Sequence, residues 1–329
     1  MVLYINSWGA YLHVKEDMFE VRVKQPDGSL QKQQVAAFKV RTIVMHEGMA
    51  LSTDAVRLAL QHNVDIVFLE NNGNPLGRVW HSKHGSTTKI RKRQLEASQD
   101  TRGLAFTKTW IAAKLGNQLD FLKDLKKHRS GQTTYLDEKT GRIAQLKQSV
   151  EGLEGTCTGD VAEQIRGLEG TAGRLYFEAL SYLLPAAYQF KGRSSRPAAD
   201  AFNAFLNYNY GVLYSVVERS LIMAGADPYV GFLHRDDYNQ KSMVFDFIEP
   251  YRIHAERVVF RLFSGKKVNK GHTDPIANGV TLNTEGKQLL MQAFSKYFSE
   301  EKVRHRGRNQ TRENALQLDA HAFAQELIA

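Results

Sequence analysis

The hydrophobic period of this chain changes once, and that change constrains its fold more than any motif. Up to about residue 80, apolar residues come in short runs at 3–5, 11–14, 19–23, 35–38 and 40–45, with a Pro26-Asp27-Gly28 turn in their midst. Phe19, Val21 and Val23 alternate with Glu20 and Arg22, the two-residue period of a half-buried strand. Ser52-Thr53-Asp54 opens a short helix with Ala55, Leu58 and Ala59 on one face. Residues 64–69 read as a buried strand, and Asn71-Asn72-Gly73-Asn74 turns the chain into 76–80. From Gln94 onward the period is helical: Leu104, Trp110, Ile111, Leu115, Leu119 and Leu122 fall on one continuing face. The expected class is α+β. A small β-rich N-terminal domain (1–80) is joined by a basic linker (81–93, HSKHGSTTKIRKR) to a larger all-α domain (94–329).

Length and composition agree with two domains and exclude several classes. A chain of 329 residues exceeds one small core. No apolar run approaches the ~18 residues needed to span a bilayer, and the first residues show no basic-then-apolar leader pattern, so a cytoplasmic protein without a membrane partner is expected. Cys157 is the only cysteine, which rules out an intrachain disulfide and a thiolate zinc cluster. The formal charge of +9 is compatible with a polyanionic partner but equally with an ordinary lysine-rich surface.

Within the helical part, 130–142 reads as a polar loop, and Asp160 as the N-cap of a helix over 161–183 containing IRGLEGTAGRLYFEAL. Gly167, Gly170 and Gly173 each cost roughly 1 kcal/mol inside a helix. They read as a tight helix–helix crossing, with Glu169 in a salt bridge to a nearby arginine, or as room for a ligand. The basic loop 189–197 carries Lys191, Arg193 and Arg196, and Asp200 caps a long helix with an Asn203, Asn207, Tyr208, Asn209, Tyr210 stripe. Tyrosines beside a basic loop can stack on bases, though most such rings pack in a core. The densest basic run is KVRHRGRNQTR at 302–312, a solvated surface or a nucleic-acid contact.

Residues 228–252, PYVGFLHRDDYNQKSMVFDFIEPYR, set His234, Asp246 and Glu249 among Val230, Phe232, Leu233, Met243, Val244, Phe245, Phe247 and Ile248. Carboxylates are rarely buried unless paired or bound to a metal. Pro250 suits the first turn of a helix, so Asp246 and Glu249 fall at or just before its N-terminus. As D-x-x-E they resemble a capping box. With Glu169 as a third acid, they and His234 would instead make a mostly oxygen site with one nitrogen, suited to Mn²⁺ or Mg²⁺ and to phosphodiester chemistry. Spacing leaves both readings open.

Taken together, IRGLEGTAGRLYFEAL, RPAADAFNAFLNYNYGVLY, AGADPYVGFLHRD and SMVFDFIEPYR, with ALSTDAVRLALQHNVDIVFLENNGNPLGRVW before them, resemble the CRISPR-associated integrases, the first of the two universal CRISPR adaptation proteins. The resemblance runs from residue 1 to about 295. It implies a dimerising β-domain, a helical catalytic domain, a homodimer and assembly with a small second adaptation protein. The implied reaction joins DNA 3′-hydroxyl ends of a captured duplex to a CRISPR repeat. Position by position, Glu169, His234 and Glu249 would ligate Mn²⁺ or Mg²⁺, with Asp246 supporting them. Arg252, Lys191 and Tyr208 would contact DNA. No nucleophilic side chain is required. The chain departs from the commonest pattern in Pro250 and in the polar insert HRDDYNQK. A structure-selective nuclease and a non-enzymatic DNA-binding scaffold are the competing expectations.

Overall fold

The computed structural model describes residues 1–71, 73–79, 87–127, 129–195, 197–234 and 240–329. The first region holds strands β1 (Val2–Ile5), β2 (Tyr11–Lys15), β3 (Met18–Lys24), β4 (Leu30–Ala36), β5 (Thr42–His46) and β6 (Ala50–Leu51). Helix α1 (Thr53–Gln61), then β7 (Asp65–Leu69) and β8 (Pro75–Val79), complete it. Ser52 caps α1 as expected, accepting from the Ala55 amide at 3.1 Å. Two sheets result, one ordered β4-β3-β2-β6 and the other β1-β5-β7-β8. In the second, β1, β5 and β7 run parallel, with Ile43 level with Ile66, and β8 returns antiparallel. Glu20 on β3 departs from simple alternation. It is buried, and its carboxylate accepts from Gln34, Arg22 and His13.

The parallel sheet is covered on both faces, as such sheets usually are. Leu3, Ile5, Ile43, Met45 and Ile66 pack with α1 and the first sheet, whereas Val44, Val67 and Leu69 join the core of the helical region. The turn after β7 lies tight against a long helix, α6 (Ala201–Ala224): a Cβ on Gly211 would sit 2.0 Å from the Gly73 carbonyl oxygen. Arg78 on β8 pairs with Asp65 at 3.5 Å and Glu218 at 3.2 Å, and donates to the Ser215 carbonyl at 2.8 Å.

The helical region continues with α2 (Thr88–Ala97), α3 (Thr101–Lys126), α4 (Thr133–Glu151) and α5 (Thr158–Tyr182). Beyond α6 come α7 (Ser242–Phe247), α8 (Arg252–Ser264), a hairpin of β9 (Thr273–Ile276) and β10 (Gly279–Leu282), and α9 (Thr284–Ser295). A second hairpin, β11 (Lys302–His305) with β12 (Arg308–Thr311), leads into α10 (Arg312–Ile328). The region is therefore not wholly helical. Three further boundaries differ from expectation. Residues 81–86 of the expected linker lie outside the described residues, but Thr88–Arg93 already belong to α2. The expected loop 130–142 is largely α4, because Leu136, Thr140, Ile143, Leu146 and Val150 form a buried helical stripe that starts early. Asp160 sits in the first turn of α5 and accepts from the Thr156 and Cys157 amides at 2.8 and 3.2 Å, so the helix starts at Thr158. The run 302–312 folds because Arg306 and Gly307 both take positive φ (49° and 78°), the backbone of a two-residue hairpin turn. None of the described helices is long and apolar enough to cross a membrane.

Helix α6 is apolar almost all round and runs through the core. Asn203, Tyr208, Asn209 and Tyr210 of its polar stripe are buried: Asn209 donates to the Ala255 carbonyl at 3.2 Å, and Tyr210 to Glu256 Oε1 at 2.7 Å.

Two histidines couple this core to pH. Burial and the neighbouring Lys287 lower His46 to about 4, and burial with Arg312 and Arg257 lowers His254 to about 3. Between those values and the ordinary 6.5, the unfolded chain binds protons that the fold refuses. Stability is thus complete above about pH 6.5 and falls on acidification by about 1.4 kcal/mol per unit for each histidine. Urea midpoints at pH 7 and pH 5 should differ accordingly, and His254→Gln should flatten the slope. Equal midpoints in the native protein would contradict it.

Candidate metal centre

The candidate site is built from α3, α5, the segment after α6, α7 and the turn that precedes α8. The segment after α6 is held first. Gln94 of α2, fully buried, donates to the Asp227 and Val230 carbonyls and accepts from the Asp227 amide, each at 2.8 Å. Gly231 lies where a Cβ would come within 2.5 Å of Ser242. The next three residues turn their amides onto one carboxylate: Asp246 accepts from Phe232, Leu233 and His234 at 2.5, 2.9 and 3.1 Å. The same carboxylate meets His234 Nδ1 at 2.6 Å. Asp246 is 3% exposed. Its partners are these amides and the imidazole, and no side-chain cap is made at the start of α8, so the capping-box reading does not describe it.

Glu249 opens a single turn of 3₁₀ helix between α7 and α8 and is also buried. Arg252 Nε donates to its Oε1 at 2.9 Å, and Lys114 Nζ of α3 lies 2.5 Å from its Oε2. Burial pushes this carboxyl up, but Arg252, Lys114 and the His234 imidazole outweigh it and hold the group at about 2. Lys114 also pairs with Glu169 of α5. The ammonium is thus clasped between two acids from separate helices, which keep it protonated against the pull of burial.

Phe232 fixes the histidine loop from below. Its ring stacks on Trp110 at 5.8 Å, both rings pack with Phe323 of α10, and Trp110 also meets Phe247 edge-on.

The structure thus brings Glu169 and Glu249 to a common cation and sets His234 on Asp246, within electrostatic reach of Glu249. Among the described residues, no three His, Cys, Asp or Glu side chains form a ready metal cluster. Lys114 stands between the two acids. The donor chemistry nevertheless fits an ion: two carboxylates already enclose one positive charge, and the hydrogen bond at Nδ1 leaves His234 Nε2 as the second ring nitrogen.

Lys114 was not among the expected site residues. Its signal was a lysine inside the apolar run Trp110-Ile111-Ala112-Ala113-Lys114-Leu115. The glycines of α5 are not a helix crossing either. A Cβ on Gly167, Gly170 or Gly173 would meet nothing within 4 Å, and Glu169 pairs with a lysine rather than an arginine.

The three expected DNA contacts fare differently. Arg252 is committed to Glu249, with its guanidinium 4.9 Å from the Tyr210 ring centre and 5.4 Å from that of Tyr214. Tyr208 is 2% exposed and its hydroxyl meets His46 Nε2 at 2.7 Å, so no face of it is offered to a base. Lys191 is exposed. In the same loop Arg193 turns inward to Asn207 at 2.7 Å, and Arg196 lies outside the described residues, as do residues 235–239 of the polar insert.

Comparison with known proteins agrees with this architecture. The family model described as CRISPR associated protein Cas1 matches residues 3–296. A CRISPR-associated endonuclease Cas1 of Archaeoglobus fulgidus is 32% identical over 320 residues, covering 94% of this chain and 91% of that protein. One from Thermus thermophilus is 29% identical, covering 89% and 85%. Among solved structures, a Cas1 protein from Thermotoga maritima superposes with a TM-score of 0.81 at 20% identity, covering all of this chain and 97% of that one. A casposase bound to integration product superposes at 0.84 with 21% identity, covering 99% and 90%. By family model and by sequence identity, this chain belongs to the Cas1 family, whose members in Archaeoglobus fulgidus and Thermus thermophilus are named CRISPR-associated endonucleases.

Proposed function

We propose that the chain is a metal-dependent DNA integrase that joins the 3′-hydroxyl ends of a short duplex into a CRISPR repeat. The observation that carries this reading is the cradle: Glu169 and Glu249 converge on one positive charge beside a histidine whose orientation Asp246 fixes. A divalent ion held by Glu169, Glu249 and His234 would neutralise the phosphodiester and ease ionisation of the attacking hydroxyl. Oxygen-rich ligation favours Mn²⁺ or Mg²⁺.

The chain's own groups do the rest. Asp246 holds the Nδ1 side of His234 and so presents Nε2. Arg252 keeps Glu249 ionised. The open glycine face of α5 lets a nucleic-acid backbone approach Glu169. In the reaction the 3′-oxygen forms a new bond to phosphorus as the bond to the old 3′-oxygen breaks, so the number of phosphodiesters is conserved. No covalent link to protein is needed, and Cys157 stands at the start of α5, away from these groups in the sequence and with its amide bonded to Asp160.

Structural relatives support the partners. A casposase of this fold was solved on its integration product, and another neighbour, which matches 99% of this chain over 35% of its own length, lies in a Cas6-RT-Cas1–Cas2 complex. We extend DNA and a Cas2-type partner to this chain, together with a homodimer formed through a β-domain at 1–80, a helical catalytic domain beyond a linker, and a cytoplasmic setting. Because relatives such as the Archaeoglobus fulgidus protein are named endonucleases, hydrolysis of branched DNA is the second reading. One assay separates them: a labelled 3′-hydroxyl duplex and a repeat target are incubated with Mn²⁺ or Mg²⁺, and joined and hydrolysed products are counted. His234→Ala and Glu169→Ala should each lower joining at least ~100-fold. Undiminished joining by either would sink the ligand assignment.

A further inference from the structure

Lys114 is the part of the site that phosphodiester chemistry does not by itself require. Its side chain, 9% exposed, leaves the apolar face of α3 and ends against Glu169 Oε1 and Glu249 Oε2, the latter at 2.5 Å. These are the two acid oxygens that converge. An ion held by both acids would need the space between them. An ammonium hydrogen-bonded to the Glu169 oxygen and ion-paired with the Glu249 oxygen occupies that place, and a divalent ion and an ammonium cannot share it.

We infer that Lys114 is an internal counter-cation of the metal centre: its ammonium holds the position between Glu169 and Glu249 and has to leave as a divalent ion enters. The inference rests on the reading of Glu169, Glu249 and His234 as ion ligands. Two observations make the exchange workable. Arg252 grips Glu249 through the other carboxylate oxygen, Oε1, so this acid stays aimed when the lysine withdraws. Glu169 is 30% exposed on a helix whose glycine face is open, so the departing ammonium has somewhere to go. Metal affinity in this protein is then an exchange of one cation for another. The binding-competent form is the fraction with Lys114 out, and the apparent affinity is reduced by that fraction.

Calorimetric titration of Mn²⁺ into the native chain, Lys114→Met and Glu249→Gln tests this. Lys114→Met should bind Mn²⁺ at least about tenfold more tightly than the native chain, because every molecule is competent, and Glu249→Gln should lose binding. Equal or weaker binding by Lys114→Met overturns the inference. If neither the native chain nor Lys114→Met binds Mn²⁺, the metal centre itself fails, a result distinct from the first. Crystals of the native chain soaked in Mn²⁺ give an answer independent of the variant's folding. The ion should lie between the acids with Lys114 Nζ beyond hydrogen-bond reach of both, and an ion bound with Nζ still between them refutes the exchange.

Discussion

Glutamine in place of Glu249 is expected to cost the protein its joining activity and much of its stability at once. The residue is 4% exposed and serves as counter-ion to both Lys114 and Arg252. Removing one partner of a buried ion pair typically costs about 3–5 kcal/mol, because the other charge stays buried without compensation. Joining should fall at least ~100-fold, since even groups that only orient a metal ligand are worth 10–100-fold. Glu169 offers the contrast. Its side chain is 30% exposed and shares Lys114, so Glu169→Gln should lose joining with a stability change within about 1 kcal/mol. Urea unfolding and the duplex-joining assay together separate the two roles. Native joining by Glu249→Gln would remove that residue from the ligand set.

A comparable loss is expected far from the reacting groups. Phe323 on α10 is 4% exposed and sits 5.0 Å from Phe106, 5.4 Å from Trp110 and 5.8 Å from Phe247, ring centre to ring centre. Truncation to alanine should destabilise by about 3–5 kcal/mol. The same cluster seats Phe232, whose amide is one of the three on Asp246, so the vacancy loosens the loop that carries His234. Joining should drop about 10–100-fold even where the variant is folded, as misplacement of about 1 Å can cost that much. A variant that melts early yet joins DNA at the native rate at low temperature would disconnect α10 from the site. Phe323→Leu should recover part of both losses.

How much was legible follows from the kind of signal. Period carried the β-then-helical order, and caps carried Ser52 and Asp200, because both are local. The meeting of Glu169 with Glu249 is a fact of tertiary packing, and only the family resemblance put those residues in one site in advance. Lys114 carried a local signal of its own, a charge in an apolar stripe, the same anomaly that singled out Asp246. Lysine stripes are so often amphipathic surface that the signal is weak. The hairpins at 273–282 and 302–311 were hidden because two-residue turns at Asn278 and at Arg306-Gly307 use positive-φ backbone at residues other than glycine alone. For Tyr208 and Arg252, sequence shows the residue's type but not that the first lies buried against His46 or that the second pairs with Glu249.

The sheet that backs onto α6 bears on how such a protein can be inherited. Evolution readily shuffles modules joined by a linker, and the period change near residue 80 looks like a seam for recombination. The wall formed by β1, β5 and β7 belongs to both sides of that seam, and Gly73 fits only a partner as small as Gly211. A chimera taking its strands from one relative and its helices from another would bring together two surfaces never selected for each other. The seam in the sequence falls where the chain is simplest to cut and the core hardest to divide, so the two parts are expected to vary in concert.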